Sequence, residues 1–67
     1  MPNITVELLS GRTAEQHRRL VAEVTRAVVE TLSVSPESVR IVLQEIEPDH
    51  VASGGLLAAD RTAADAR

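Results

Sequence analysis

The 67-residue sequence predicts an α+β fold, namely a βαβ unit with two parallel strands, one long helix and a short C-terminal hairpin. Two observations support this prediction: apolar residues alternate in two short segments, and between those segments they recur every three or four positions. A helix that joins two strands over this length favours parallel pairing with a right-handed crossover. A chain of this size forms one domain, here residues 1–67.

The first strand is predicted from Asn3 to Leu9. Ile4, Val6 and Leu8 alternate with polar side chains, which is the period-two pattern of a strand that buries one face. The glycine-containing segment that follows ends the strand.

A helix is predicted to begin at Thr13, because Thr13 and Gln16 have the spacing of a capping box. Its charged residues, together with His17, are expected to form a solvated face without a functional role. The segment Ser33-Val34-Ser35-Pro36 is predicted to end the helix, since the residue before a proline avoids helical angles. The apolar stripe consists of Leu20, Val21, Val24, Ala27, Val28 and Leu32.

The second strand is predicted from Val39 to Ile46. Its apolar residues lie on both faces, as in a strand that is covered on both sides. The helix can cover one face, and a second subunit would have to cover the other. Beyond a turn, the segment from Val51 to Leu57 predicts a small hairpin or an arm, and residues 58–67 are expected to form a flexible tail.

Composition limits both the core and the partners of this chain. It contains no Phe, Tyr, Trp or Cys, so a small aliphatic core is expected to need self-association. A net charge of −3 without aromatic residues argues against nucleic-acid binding. No apolar run approaches about 18 residues and no signal-peptide pattern is present, so we expect a cytoplasmic protein that does not bind membranes.

Pro2 is the first candidate for chemistry. Removal of Met1 would leave Pro2 with a free secondary amine, which is both a base and a nucleophile. An α-amino group has a pKa of about 7.7 to 8.0, and nearby cations or an apolar wall lower it, so much of the amine would be neutral at pH 7. The sequence has no P-loop, dinucleotide-binding turn or paired-histidine metal motif, so no cofactor and no metal are expected.

Two arginines are the second candidates. Arg12 follows the first strand and Arg40 begins the second, so in a parallel pair they lie at opposite ends of the sheet. They can therefore share a pocket only if they come from different subunits. Two guanidinium groups with one neutral amine suit a small substrate that carries two carboxylates, or a carboxylate and an enolic oxygen. His50 is expected to cap a turn rather than line this pocket.

The order of these segments resembles the 4-oxalocrotonate tautomerase family. The similarity runs without a gap from Pro2 to about Ala58, and it implies homohexamers built as trimers of βαβ dimers. The segments that carry it are Pro2, the alternating strand, Leu9-Ser10-Gly11-Arg12-Thr13, the long helix, Ser38-Val39-Arg40-Ile41-Val42, and His50 with Gly54-Gly55-Leu56-Leu57-Ala58.

The resemblance implies a role for each candidate residue. Pro2 would be the general base that moves a proton between a dienol oxygen and carbon, without a cofactor. Arg12 would bind the distal carboxylate, and Arg40 of another subunit would bind the carboxylate and oxygen beside the reacting centre. Leu9 would form part of the apolar pocket wall. The implied activity is the conversion of a 2-hydroxydienoate, such as 2-hydroxymuconate, to its 2-oxo isomer, a type of step found in aromatic catabolism.

One loop departs from the family pattern. Val51 stands where well-known members have a phenylalanine over the catalytic proline, and Ser53 replaces an aliphatic pocket residue. The resemblance therefore does not fix the substrate.

Three alternative functions stay open. The first is a hydratase or dehalogenase in which protonated Pro2 is the acid and Glu7 or His50 activates water. The second is a tautomerase of secondary-metabolite biosynthesis, and the third is a non-catalytic oligomeric binding protein.

Overall fold

The computed structural model describes residues 1–61, and it confirms the predicted βαβ unit with a C-terminal hairpin. The chain forms single 3-10 turns at Pro36–Ser38, Pro48–His50 and Ala58–Asp60. The regular elements are β1 (Asn3–Leu9), α1 (Ala14–Leu32), β2 (Arg40–Ile46), β3 (Ala52–Ser53) and β4 (Leu56–Leu57).

Strands β1 and β2 pair in parallel, with a register that runs from Asn3 opposite Arg40 to Leu9 opposite Ile46. One further hydrogen bond extends the pairing at each end. The N–H of Arg40 donates to the carbonyl oxygen of Pro2 at 3.0 Å, and the N–H of Ser10 donates to that of Ile46 at 2.9 Å. Pro2 therefore lies at the end of the sheet where both strands begin, and Ser10 at the end where both finish.

Thr13 caps α1 as the sequence predicts. Its hydroxyl accepts a hydrogen bond from the Gln16 N–H at 3.0 Å, and the Gln16 side chain accepts one from the Thr13 N–H at 2.9 Å. At the other end Ser33 has a φ of 57°, a left-handed conformation that ends the helix. The two caps set where the helix begins after β1 and where it ends before β2.

A contact between His17 and Glu45 shows which face of the sheet α1 covers. His17 Nε2 lies 3.3 Å from Glu45 Oε2, so the helix lies over the face that carries Glu45. Side-chain alternation places Ile41, Leu43 and their neighbours on β1 on that same face. The expectation that His17 projects from an exposed face is wrong, because its side chain is 29% exposed and turned toward the sheet.

The core of the single chain is incomplete. None of the residues 1–61 is buried, including the apolar residues that lie between α1 and the sheet. The opposite face of the sheet carries Val42 and Ile46 among polar residues, and α1 cannot cover it. Leu32 is 57% exposed at the end of the helix. The chain thus presents apolar surface that it does not cover itself within residues 1–61.

Residues 48–61 form a small unit that we call the C-terminal arm. Its two strands are antiparallel, and Gly54 and Gly55 have φ values of 62° and 82°, the left-handed pair that a tight hairpin turn requires. The N–H of Ala58 donates to the carbonyl oxygen of Val51 at 2.9 Å, and Arg61 Nη2 donates to that of Ser53 at 3.0 Å. These two bonds tie the end of the arm to its first strand.

Only the first four residues of the predicted flexible tail, residues 58–67, lie within the part of the chain that the structure describes. Ala58–Asp60 forms a 3-10 turn and Arg61 contacts Ser53, whereas residues 62–67 lie outside the described residues. Between residues 1 and 61, no helix is both long enough and apolar enough to cross a lipid bilayer.

Candidate active site

Pro2 occupies a fixed position at the start of the sheet. It is half-buried, and its carbonyl oxygen accepts the hydrogen bond from the Arg40 N–H. Its nitrogen is joined to Met1, a residue that is 86% exposed to solvent. Because the Arg40 bond uses only the carbonyl group of Pro2, removal of Met1 would free the amine and leave this anchor in place.

The side chain of Arg40 lies on the other side of the sheet from Pro2. Arg40 is opposite Asn3 in the register, so the two side chains share a face, and that face is opposite to the one that α1 covers. Pro2 precedes Asn3 by one residue and therefore belongs to the helix-covered face. The backbone of Arg40 thus contacts Pro2, while its side chain leaves the strand on the opposite face of the sheet.

Arg12 lies in a short link between β1 and α1. Ser10 is bonded to the end of β2, and Thr13 is the helix cap, so the link consists of Gly11 and Arg12 alone. Gly11 has a φ of 111°, a conformation that side chains rarely adopt. The side chain of Arg12 is exposed, and Leu9 is half-buried just before the link.

A single chain does not bring these candidates together. Strand β1 spans about 23 Å, with Pro2 just before its first residue, Leu9 as its last residue and Arg12 beyond it. This separation agrees with the opposite-ends placement that parallel pairing predicts for Arg12 and Arg40. Val51 belongs to the C-terminal arm, after the turn that follows β2, and is 38% exposed.

Neither Arg12 nor Arg40 forms an ion pair within residues 1–61. The ion pairs of this part of the chain involve Arg18 and Arg26 instead, and His17 and His50 contact the carboxylates of Glu45 and Asp49. On the outer face of α1, a hydrogen bond from Arg26, together with its positive charge, lowers the pKa of the Glu23 carboxyl. That pair is solvent-exposed and lies on the helix face for which the sequence predicts no functional role.

The model of the family described as "Tautomerase enzyme" matches residues 2–61, which is nearly the whole chain. The chain belongs to the tautomerase family. Membership confirms the resemblance that the sequence shows to 4-oxalocrotonate tautomerases, and it makes this chain an isomerase. The matched region begins at Pro2 and ends at Arg61, so it contains every candidate site residue.

Similar proteins agree with this assignment. A probable tautomerase of Halalkalibacterium halodurans is 44% identical over 61 residues, which is 91% of this chain and 100% of the relative. A 2-hydroxymuconate tautomerase of Bacillus subtilis is 47% identical over 55 residues, or 82% of this chain and 89% of that protein. A solved 4-oxalocrotonate tautomerase isozyme of Methylibium petroleiphilum is 49% identical with a TM-score of 0.88, covering 94% of this chain and 98% of its own.

The structure of this tautomerase also contains contacts that the sequence analysis missed. Ser10 Oγ donates to Glu47 Oε1 at 3.3 Å, immediately beyond the last paired residues of β1 and β2. The pair continues the strand register by one position, and that register is the signal that would have predicted it. The Arg61 contact with Ser53 has no comparable signal, because it depends on the shape of the whole C-terminal arm.

Proposed function

We propose that this tautomerase converts a 2-hydroxydienoate, such as 2-hydroxymuconate, to its 2-oxo isomer without a cofactor, with the amine of Pro2 as the base. The placement of Pro2 carries this proposal: its carbonyl is fixed by Arg40 at the start of the sheet, and only the exposed Met1 blocks its nitrogen. The 47% identity to a 2-hydroxymuconate tautomerase supports the same substrate class.

The proposed reaction is a proton transfer in two steps. The neutral amine of Pro2 takes the proton of the 2-hydroxyl group, which breaks the O–H bond and leaves a dienolate. The protonated amine then gives that proton to a carbon of the dienolate, and a C–H bond forms. Arg40 stabilises the negative charge that develops on the oxygen, and Arg12 holds the distal carboxylate through a pair of parallel hydrogen bonds. Leu9 and Val51 provide apolar walls.

The proposed pocket requires more than one subunit. Strand β1, about 23 Å long, separates Arg12 from the Pro2 of its own chain, and the side chain of Arg40 leaves the sheet on the face away from that proline. Neighbouring subunits would supply both arginines. Self-association would also cover the apolar surface left open within residues 1–61, and the family resemblance favours dimers assembled into a homohexamer.

Mass spectrometry of the purified protein, followed by an ultraviolet assay with 2-hydroxymuconate, tests this function. We expect Met1 to be absent and turnover to be rapid. Pro2→Ala should lower kcat by about 10²- to 10⁴-fold, the usual contribution of a positioned acid or base. Turnover that is unchanged in Pro2→Ala, or that is equally fast in a form retaining Met1, would contradict the proposal. Sedimentation or native mass spectrometry measures the number of subunits.

A further inference from the structure

Ser10 and Glu47 join the two strands at the end of the sheet that carries Arg12. The N–H of Ser10 donates to Ile46, and its hydroxyl donates to Glu47 Oε1 at 3.3 Å. Ser10 is half-buried, and Glu47 is exposed. The hydrogen bond therefore holds the Glu47 carboxylate close to the first residue of the link between β1 and α1.

Arg12 and Glu47 are opposite charges at this same end of the sheet. Only Gly11 separates Arg12 from Ser10, and two residues span at most about 7 Å. Neither Arg12 nor Glu47 takes part in an ion pair within residues 1–61, although each is exposed. A ligand that approaches Arg12 at this end of the sheet therefore meets the field of the Glu47 carboxylate as well as that of the guanidinium.

We propose that Glu47, held by Ser10, determines specificity for the part of the substrate that Arg12 binds, and that it weakens binding of a second carboxylate. This inference rests on the proposed function, because it takes Arg12 as the group that contacts the distal end of the substrate. The carboxylate of Glu47 repels an anionic distal group and offsets part of the attraction of Arg12. A neutral distal group experiences no such repulsion.

Glu47→Gln separates the charge of this residue from its hydrogen bond. The amide oxygen still accepts from Ser10, so the link keeps its position while the negative charge is lost. For scale, two unit charges about 7 Å apart in water change an equilibrium constant by about threefold, and greater separation or added salt reduces this effect. We expect Glu47→Gln to lower KM for 2-hydroxymuconate by up to about threefold at low ionic strength, without a change in kcat or in KM for a monocarboxylate analogue.

Ser10→Ala tests the other half of the pair. Without the hydroxyl, the carboxylate of Glu47 is released and can turn toward the neighbouring cation, Arg12. We expect KM for 2-hydroxymuconate to rise in Ser10→Ala and to fall again when Glu47→Gln is added. A rise of equal size in the single and double variants would mean that Ser10 acts through the backbone of the link, and would overturn the role of Glu47.

Binding of two unreactive ligands makes the test independent of turnover. trans,trans-Muconate carries two carboxylates and sorbate carries one on the same six-carbon diene, and NMR titration measures the dissociation constant of each. Glu47→Gln should tighten muconate binding relative to sorbate. The control, Glu30→Gln, removes an equal charge from the exposed face of α1 and should leave this ratio unchanged.

The outcomes distinguish the two proposals. An unchanged ratio in Glu47→Gln, in a protein whose turnover depends on Pro2, overturns the inference and leaves the proposed function standing. A changed ratio in a protein that does not turn over 2-hydroxymuconate supports the inference as a property of the binding site and contradicts the proposed function. The same change in Glu30→Gln would show a general effect of net charge, and the inference would fail.

Discussion

The N–H of Arg40 donates a hydrogen bond of 3.0 Å to the carbonyl oxygen of Pro2, so the first residue of β2 anchors the residue proposed as the base. The same residue sends its guanidinium to the opposite face of the sheet. The backbone of Arg40 therefore positions the proline of its own chain, and under the proposed function its side chain would serve the pocket of another subunit.

Substitution of Arg12 and of Arg40 should affect kcat and KM differently. Arg40→Ala keeps the backbone N–H, so Pro2 stays anchored while the group that meets the developing charge is lost. We expect kcat for 2-hydroxymuconate to fall more in Arg40→Ala than in Arg12→Ala, and KM to rise more in Arg12→Ala. Steady-state kinetics of both variants measure this split. Losses confined to KM, and equal in the two variants, would contradict it.

The pH dependence of kcat/KM should identify the protonation state that Pro2 needs. A base must be neutral, so the rate should rise as the amine loses its proton and then reach a plateau. The hydratase or dehalogenase alternative requires the protonated amine and predicts a rate that falls over the same interval. The profile of the protein without Met1, measured with 2-hydroxymuconate and with an unsaturated acid, separates the two reactions.

Val51→Phe should change the surroundings of the amine. Val51 is 38% exposed in the single chain and is smaller than the phenylalanine found in well-known members of the family. A larger apolar wall excludes water and disfavours the charged amine, so the kcat/KM plateau should begin at lower pH. We expect turnover of a planar dienol to rise as well. A pH profile that is unchanged in Val51→Phe would place this residue outside the pocket.

Arg61→Met should loosen the C-terminal arm. Its guanidinium donates to the carbonyl oxygen of Ser53, and charge-assisted bonds of this kind contribute about 1 kcal/mol or more. The amide of Ala58, which bonds to Val51 in the same arm, should then exchange its hydrogen about fivefold faster, a conservative figure for a loss of about 1 kcal/mol.

Arg18→Met is the matched control for the arm. Arg18 contacts Glu15 on the exposed side of α1, and its loss should leave exchange at Ala58 unchanged. Equal exchange rates in Arg61→Met and Arg18→Met would show that the contact with Ser53 does not stabilise the arm.

The sequence predicts the elements of this fold more completely than the contacts between them. The bounds of β1 and the Thr13 cap follow from local patterns, since alternation and capping chemistry involve neighbouring residues. The Ser10–Glu47 bond joins residues far apart in sequence and requires the strand register. The position of His17 is also not predicted: the residue is polar and adjoins the charged helix face, yet it lies three residues before Leu20 of the apolar stripe and turns toward the sheet.

The sequence likewise predicts part of the candidate site. It identifies Pro2, Arg12 and Arg40 as candidate residues, and parallel pairing alone predicts that Arg12 and Arg40 lie at opposite ends of the sheet. Whether the side chain of each candidate residue lies on the covered or the open face depends on which side of the sheet α1 packs against, and the His17–Glu45 contact identifies that side. This contact joins an element to a distant strand, so local sequence patterns do not predict it.

Under the proposed self-association, the absence of any buried residue between Met1 and Arg61 would link the stability of this protein to its concentration. A chain that completes its core only against other copies folds and associates in one thermodynamic process, so dilution acts as a denaturant. The midpoint of thermal unfolding should therefore rise with protein concentration. Each inherited substitution on the open face of the sheet would also be repeated in every copy, and symmetry would multiply a small change in one chain across the assembly.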